Sequence, residues 1–321
     1  MEKKQTDFQK NKTGVTVVTP VFNREDCLGR CIESVIAQNY SNMEHWIVDD
    51  GSTDNTSEII KEYAYRYPGI KYHKFENNRG VNAARNYAIQ NAEKEFIVFL
   101  DSDDYFVDNA ILTMNEFINN NQGYKHYLFV QDDRLEIINQ NPLFEQDVTE
   151  LSFEDFLSEK VHLDFVHVMS ADLLKKYPFE EHLRIYEGLN FLRIYKVGER
   201  QLFKKTILTK RERNRHDSVT KETLLNNKGA MSKQYYSLKQ KVALFEDDYI
   251  KYHSENKLAE IVKRIFVLGT ALGEYNDVSK IVETANKYNI KIPFIYRLIY
   301  SLKWGAFLRK AIFAYSRIKN S

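Results

Sequence analysis

Asp101, Asp103 and Asp104 stand within four positions, directly after the apolar stretch FIVFL at 96–100. Carboxylates this close repel one another unless something positive compensates them, and a divalent cation is the usual partner. A second acid pair, Asp49 and Asp50, closes the stretch HWIVDD at 45–50. An apolar run of this length bounded by charge reads as a strand buried on both faces, as in parallel sheets. Open α/β sheets bind ligands beyond the carboxyl ends of such strands. Acids also mark turns and helix caps, and that is the preferred reading for Asp54 and Asp108. Two apolar strands that both end in acid pairs argue for a site. A calcium loop beginning at Asp101 would need Gly at its sixth position and Glu at its twelfth. Phe106 and Leu112 stand there instead.

The elements that must position these acids alternate in type. Residues 15–22, 45–50, 70–75 and 95–100 read as strands. Residues 24–38, 53–67, 80–92 and 108–121 read as helices, the second capped by Ser52 or Thr53 and the fourth by Asp108. Such alternation predicts an α/β fold, a mostly parallel, doubly wound sheet whose right-handed crossovers set the strand ends along one edge. Cys27 and Cys31 share a helical face with Leu28, Ile32, Val35 and Ile36 and read as buried core thiols. A reducing, cytoplasmic location is expected with them.

The 321 residues carry 46 Lys and Arg against 45 Asp and Glu, with 43% hydrophobic residues. That length suits one and a half or two domains, and the near-neutral balance gives no support to nucleic acid as a partner. Residues 1–13 read as a polar, disordered lead without the apolar core of a secretory signal. No uncharged apolar run reaches the length of a membrane span. There is no GxGxxG, Walker loop or HExxH, so a dinucleotide-dependent dehydrogenase is unsupported.

The strings VTVVTPVFNRE, WIVDDGSTDNT, NRGVNAARNYAI and FIVFLDSDD follow in that order over residues 15–104. Together the set resembles family 2 glycosyltransferases with the GT-A fold, a Rossmann-like sheet. The likeness continues more loosely to about residue 220, through FEEHLRIYEGLNFLRIYKVGE and NRHDSVT. It implies a transferase domain over 14–225, with a nucleotide half at 14–104 and an acceptor half at 105–225, and a helical C-terminal region at 226–321. It also implies a nucleotide-sugar donor, usually a UDP-sugar. The sugar would pass with inversion to a hydroxyl of a glycan or lipid-linked saccharide in cell-surface polysaccharide synthesis. Thr19, Pro20 and Phe22 would pack against the base, Asp50 would hold the uracil ring, and Asn78 and Arg85 would touch the nucleotide. Asp101, Ser102 and Asp103 would hold the metal and the diphosphate, with Asp103 as direct ligand. His216 would contact the metal or diphosphate, and Arg215 or Arg213 would offset phosphate charge. Chemistry agrees with these roles. Breaking a sugar–phosphate bond pushes negative charge onto the leaving diphosphate, which Mn²⁺ or Mg²⁺ offsets.

An inverting transfer needs a general base for the acceptor hydroxyl. The resemblance places it at the second acid of a Glu-Asp pair opening a helix. Here RIYEGLNFLRIY supplies Glu187 and then Gly188. Glu187 is assigned as base, with Glu180 or Glu181 as substitutes. A helix-start acid favoured by the helix dipole is its structural reading. The departure at Gly188 also leaves open a non-catalytic nucleotide-sugar-binding or scaffold protein. A nucleotidyltransferase is disfavoured because PVFNRED is neither glycine-rich nor basic. His162 and His167 read as strand residues without a role.

Residues 230–321 read as helices, with apolar positions three and four apart. From residue 284 onward there are eight Lys or Arg and no Asp or Glu, and Lys303, Lys310 and Arg317 recur every seven positions. Basic, aromatic helices of this kind lie on anionic membrane surfaces or pack on a neighbouring domain with their charges solvated. Both readings stand, and the first makes the protein peripheral on the inner face of the cell membrane.

Overall fold

The structure, a computed structural model, describes residues 13–183, 187–212 and 227–319. The chain divides into two compact units. The first holds residues 13–156, 161–183 and 190–212, and the second holds 157–160, 187–189 and 227–319.

The first unit is a nine-stranded sheet. In chain order its elements are β1 (Val15–Val21), α1 (Leu28–Ile36), β2 (Met43–Asp49), α2 (Thr56–Arg66), β3 (Ile70–Lys74), α3 (Val81–Asn91) and β4 (Phe96–Phe99). Then come β5 (Tyr105–Phe106), α4 (Ala110–Asn120), β6 (His126–Gln131), α5 (Leu135–Gln140), β7 (Val148–Ser152), α6 (Phe153–Leu157), β8 (Val166–Ser170), α7 (Ala171–Lys176), α8 (Gly188–Gly198) and β9 (Arg200–Lys210). The order across the sheet is β3-β2-β1-β4-β8-β6-β9-β5, with β7 paired to β9. The first four strands run parallel, as the alternation predicts. Beyond β4 the sheet is mixed: β8 is antiparallel to both β4 and β6, while β6 and β9 run parallel.

Strand residues alternate between two cores, one on each face of the sheet. Val15, Val17, Phe96, Val98, Val166 and Val168 pack with Leu28, Ile32, Ile60 and Met114 from α1, α2 and α4. Val18, Val48, Ile97 and Met169 pack with Ala84, Ala88, Leu174 and Ile194 from α3, α7 and α8. Burial on both faces explains why these strands read as continuous apolar runs. Pro20 is tolerated inside β1 because its side of the strand faces β4, whose pairing stops at Val18 with Phe99.

Helix starts differ from the sequence expectation because backbone donors go elsewhere. Arg24 N bonds to Thr56 Oγ1 and Glu25 N to Asp54 Oδ2, so α1 begins only at Leu28. Ser52 Oγ accepts from Asn23 N instead of capping, and Asp54 Oδ1 takes the Thr56 amide ahead of α2. Asn109, left-handed at φ 58°, precedes α4, and no side chain caps that helix, Asp108 included. His167 lies in β8 as expected, but His162 lies in the irregular segment before it. Both cysteines are buried free thiols.

Three imidazoles in this unit are withdrawn from water, His45 and His126 buried and His167 half-buried. His126 Nε2 and His167 Nδ1 are 3.0 Å apart, and His167 stacks on Phe191 while His126 stacks on Tyr195. Burial pushes His167 down to about 4 and His45 down to about 3, and it lowers His126 well below the ordinary range.

The second unit is helical, as the tail pattern predicts. It contains α9 (Lys228–Lys251), α10 (Glu255–Leu272), α11 (Tyr275–Lys287), α12 (Phe294–Ser301) and α13 (Gly305–Lys319). α10 packs against the other four. Gly305 lies so close to α10 that a Cβ there would meet Thr270 O at 2.0 Å. Among the described residues, no helix is long and apolar enough to cross a membrane.

Candidate functional site

Parallel β2, β1 and β4 are neighbours, so their carboxyl ends share one edge. The register pairs Val21 with Asp49 and Val18 with Phe99. Asp50 and Asp101 therefore leave the sheet on either side of β1, Asp50 level with Phe22 and Asp101 level with Pro20.

The loops after β1 and β2 are stitched together. Asn23 Oδ1 accepts from Thr53 N at 2.9 Å, and Glu25 Oε2 accepts from Asn55 N at 2.9 Å. Asp49 is fully buried and organises its own turn. Its Oδ1 accepts from Ser52 N at 2.7 Å and its Oδ2 from Ser57 Oγ at 2.5 Å, with Lys74 Nζ 3.8 Å away. Asp50 is buried too. It accepts the Arg79 amide at 2.6 Å and the Gly80 amide at 2.8 Å, tying the end of β2 to the start of α3. Gly51, at φ +80°, is required between them, because a Cβ would meet the Asn77 and Asn78 backbone at 2.9 Å.

Of the residues expected at the base, Thr19 is buried and its hydroxyl lies 2.9 Å from His45 Nε2. Pro20 is buried, while Phe22 remains 39% exposed and Asn78 is exposed. Their surfaces frame the loop edge and are not consumed by the core.

The turn after β4 is gripped by one face of α1 and the residue ahead of it. Cys31 Sγ donates to Asp101 O at 3.7 Å, Cys27 Sγ to Ser102 O at 3.7 Å, and Arg30 to Asp103 O at 3.2 Å. Positions 27, 30 and 31 share a helical face by spacing, so three successive carbonyls are held by one surface. The sequence marked the thiols only as core. Arg30 also lies over the Tyr105 ring and pairs with Glu212.

The acids of the turn have different environments. Asp101 accepts from Arg85 at 3.2 Å, and that guanidinium lies over the rings of Phe99 and Phe179. Asp104 is 3% exposed, and its Oδ1 makes no hydrogen bond. Burial and then the charges of Asp101 and Asp103 push its carboxyl up to about 8, against Arg211. Arg211, at the end of β9, lies 3.9 Å from Asp104 and 3.8 Å from each of Asp133 and Asp164. Burial alone would lower its pKa, but those acids outweigh burial and raise it. Arg211 and Asp133 were missed by the sequence reading. The run VQDD at 130–133 gave the same signal as the other two strand ends.

The donors at this turn are hard oxygens, the chemistry that suits Mg²⁺ or Mn²⁺. Among the described residues, no three His, Cys, Asp or Glu side chains form a ready-made metal cage. Mg²⁺ is commonly held by one or two carboxylates together with substrate phosphates, without such a cage. A turn that sets Asp101, Asp103 and Asp104 together therefore fits a hard divalent cation.

Glu180 and Glu181 are already engaged. Glu180 pairs with Arg193 at 3.0 Å and Glu181 with Arg79 at 3.1 Å. Glu187 stands immediately before α8, in the second unit, half-buried. Arg213, Arg215 and His216 lie outside the described residues.

Residues 16–147 match the family model described as Glycosyl transferase family 2. The chain is 40% identical over 100 residues to glycosyltransferase GlyA of Streptococcus pneumoniae, covering 31% of this chain and 14% of that protein. It is 29% identical over 187 residues to a GalNAc(5)-diNAcBac-PP-undecaprenol beta-1,3-glucosyltransferase of Campylobacter jejuni, covering 57% and 60%. The matches thus span less than two thirds of either relative. S. aureus TarS 1–349, solved in complex with UDP-GlcNAc, superposes with a TM-score of 0.62 at 18% identity, covering 94% of this chain and 89% of that one.

Proposed function

We propose that this chain, a family 2 glycosyltransferase of GT-A fold by its residues 16–147, moves a sugar with inversion from a UDP-sugar to a hydroxyl. The acceptor is a glycan or lipid-linked saccharide in cell-surface polysaccharide synthesis, on the cytoplasmic side. The relatives' names support the class of reaction, and the UDP-GlcNAc complex of a similar fold supports the donor. We assign residues 14–225 to transfer, with the nucleotide held by 14–104 and the acceptor by 105–225, and 226–321 to a helical extension.

The carrying observation is the turn at 101–104. Three of its carbonyls are held by Cys27, Arg30 and Cys31, Asp101 pairs with Arg85, and Arg211 lies 3.9 Å from Asp104. In this reading Asp103, with His216, holds Mn²⁺ or Mg²⁺, and Asp101 lies nearer the ribose or a metal-bound water. The cation supplies charge to a leaving diphosphate. Thr19, Pro20 and Phe22 line the base, Asp50 and Asn78 orient the uracil, and Ser102, Arg85 and Arg215 border the diphosphate. Glu187 takes the acceptor proton as the hydroxyl attacks. Its place immediately before α8 supports that choice.

Gly188, where an aspartate is expected, favours a second reading as a nucleotide-sugar-binding protein without turnover. Calorimetry of UDP with and without Mn²⁺, followed by donor turnover, separates the two. The proposal expects Mn²⁺-dependent binding lost in Asp103→Ala, and UDP release in the unaltered protein. Binding that ignores the cation would refute the site. Binding without turnover against any donor and acceptor would leave the second reading.

A further inference from the structure

We propose that α12 and α13 form a docking surface for an anionic lipid bilayer, an inference independent of the sugar-transfer reading. Seven of the sixteen large apolar side chains exposed among the described residues fall between 294 and 315. Such clustering is not the scatter of single apolar residues found on ordinary surfaces.

Each helix has already used its inner face. From α12, Ile299 is buried, and the Tyr300 ring lies 5.3 Å from that of Phe266 and 5.8 Å from that of Tyr275. From α13, Leu308 is buried, Gly305 N donates to Tyr275 Oη, and Arg309 donates to Ala271 O. The apolar residues left over point elsewhere. At about 100° per residue, Phe294, Ile295, Leu298 and Leu302 fall within a single arc of about 100° on α12. They are 77%, 56%, 39% and 45% exposed. Trp304, Phe307 and Tyr315 continue the pattern at 56%, 65% and 68%. Exposed Lys303 and Lys310 flank Phe307 on the adjoining stripe, and exposed Lys291 and Arg297 flank α12.

The charge selects the occupant. Eight Lys or Arg and no Asp or Glu follow residue 283. A second copy meeting this face across a twofold axis would set like charges against each other. A bilayer with anionic headgroups meets both halves of the surface: acyl chains take the aliphatic and phenyl groups, headgroups take the ammonium and guanidinium groups, and Trp and Tyr suit the boundary.

The test is co-sedimentation of the full chain with vesicles of phosphatidylcholine alone and of phosphatidylcholine mixed with phosphatidylglycerol. Binding is expected only to the mixed vesicles, weakening as salt rises. Each basic residue near such a surface is worth roughly five-fold in affinity, so Lys303→Gln with Lys310→Gln loses about 25-fold. Phe294→Ser with Phe307→Ser abolishes binding, and thermal unfolding stays unchanged because both rings are exposed. UDP binding, followed on the same samples, reports the donor site separately. Equal partition into neutral vesicles, no partition at all, or self-association that the Phe variants remove would each overturn the inference.

Discussion

The Asp50 carboxylate lies 2.8 Å from the backbone amide of Gly80, so the end of β2 holds the start of α3. The Arg79 amide shares the same carboxylate at 2.6 Å. Asp50→Ala removes the acceptor of two part-buried amides, at a cost of about 2 kcal/mol. Urea unfolding should show that loss, and Asp50→Asn, which keeps one acceptor, should recover part of it. A neutral outcome for Asp50→Ala would mean that water replaces the carboxylate.

Gly51 presents a sharper constraint. Its φ of +80° and the 2.9 Å approach of Asn77 and Asn78 leave no room for a methyl group. Gly51→Ala should destabilise by about 2 kcal/mol or more and weaken UDP binding, since the loop must move to relieve the contact. Calorimetry together with thermal unfolding checks both effects.

The imidazoles of His45, His126 and His167 make the first unit sensitive to acid. His167 stays neutral down to about pH 4 and His45 down to about pH 3 when folded, whereas the unfolded chain protonates both near 6.5. With His126 lowered as well, the unfolded state binds more protons through this range. Stability is therefore full above pH 6.5 and falls as the pH drops through 6 and 5, by about 1.4 kcal/mol per pH unit for each ring. Urea midpoints across that range should follow this slope, and His167→Phe should flatten it by one ring's share.

Glu187 and Gly188 separate chemistry from packing. Glu187→Gln should lower turnover by at least about 100-fold while leaving UDP affinity intact. A Cβ at Gly188 meets nothing within 4 Å. Gly188→Asp should then fold normally, gaining up to about 1 kcal/mol from lost unfolded-state freedom. A gain of turnover in that variant alone would point to the degenerate, binding-only reading.

The first half of the sheet was legible because β1, β2 and β4 are buried on both faces and end in charge. What escaped was long-range. Nothing local in residues 166–170 or 200–210 states whether those strands run with or against their neighbours, so the antiparallel β8 could not be read. Helix starts were misjudged where Asn23, Arg24 and Glu25 spend their amides on the next loop rather than on α1. The acids were found by type, but Arg211, their counter-charge, lies 107 positions beyond Asp104, and only folding brings it near. Arg213 and Arg215, singled out in its place, fall outside the described residues.

The hold of Cys27, Arg30 and Cys31 on three consecutive carbonyls has a consequence for how anything binds there. A corner held at three of its carbonyls has less freedom left to lose when a ligand arrives. Its freedom is lost once, when the chain folds, and does not weaken each encounter afterwards. Bulk attached to either thiol would release that corner from a distance without touching a carboxylate.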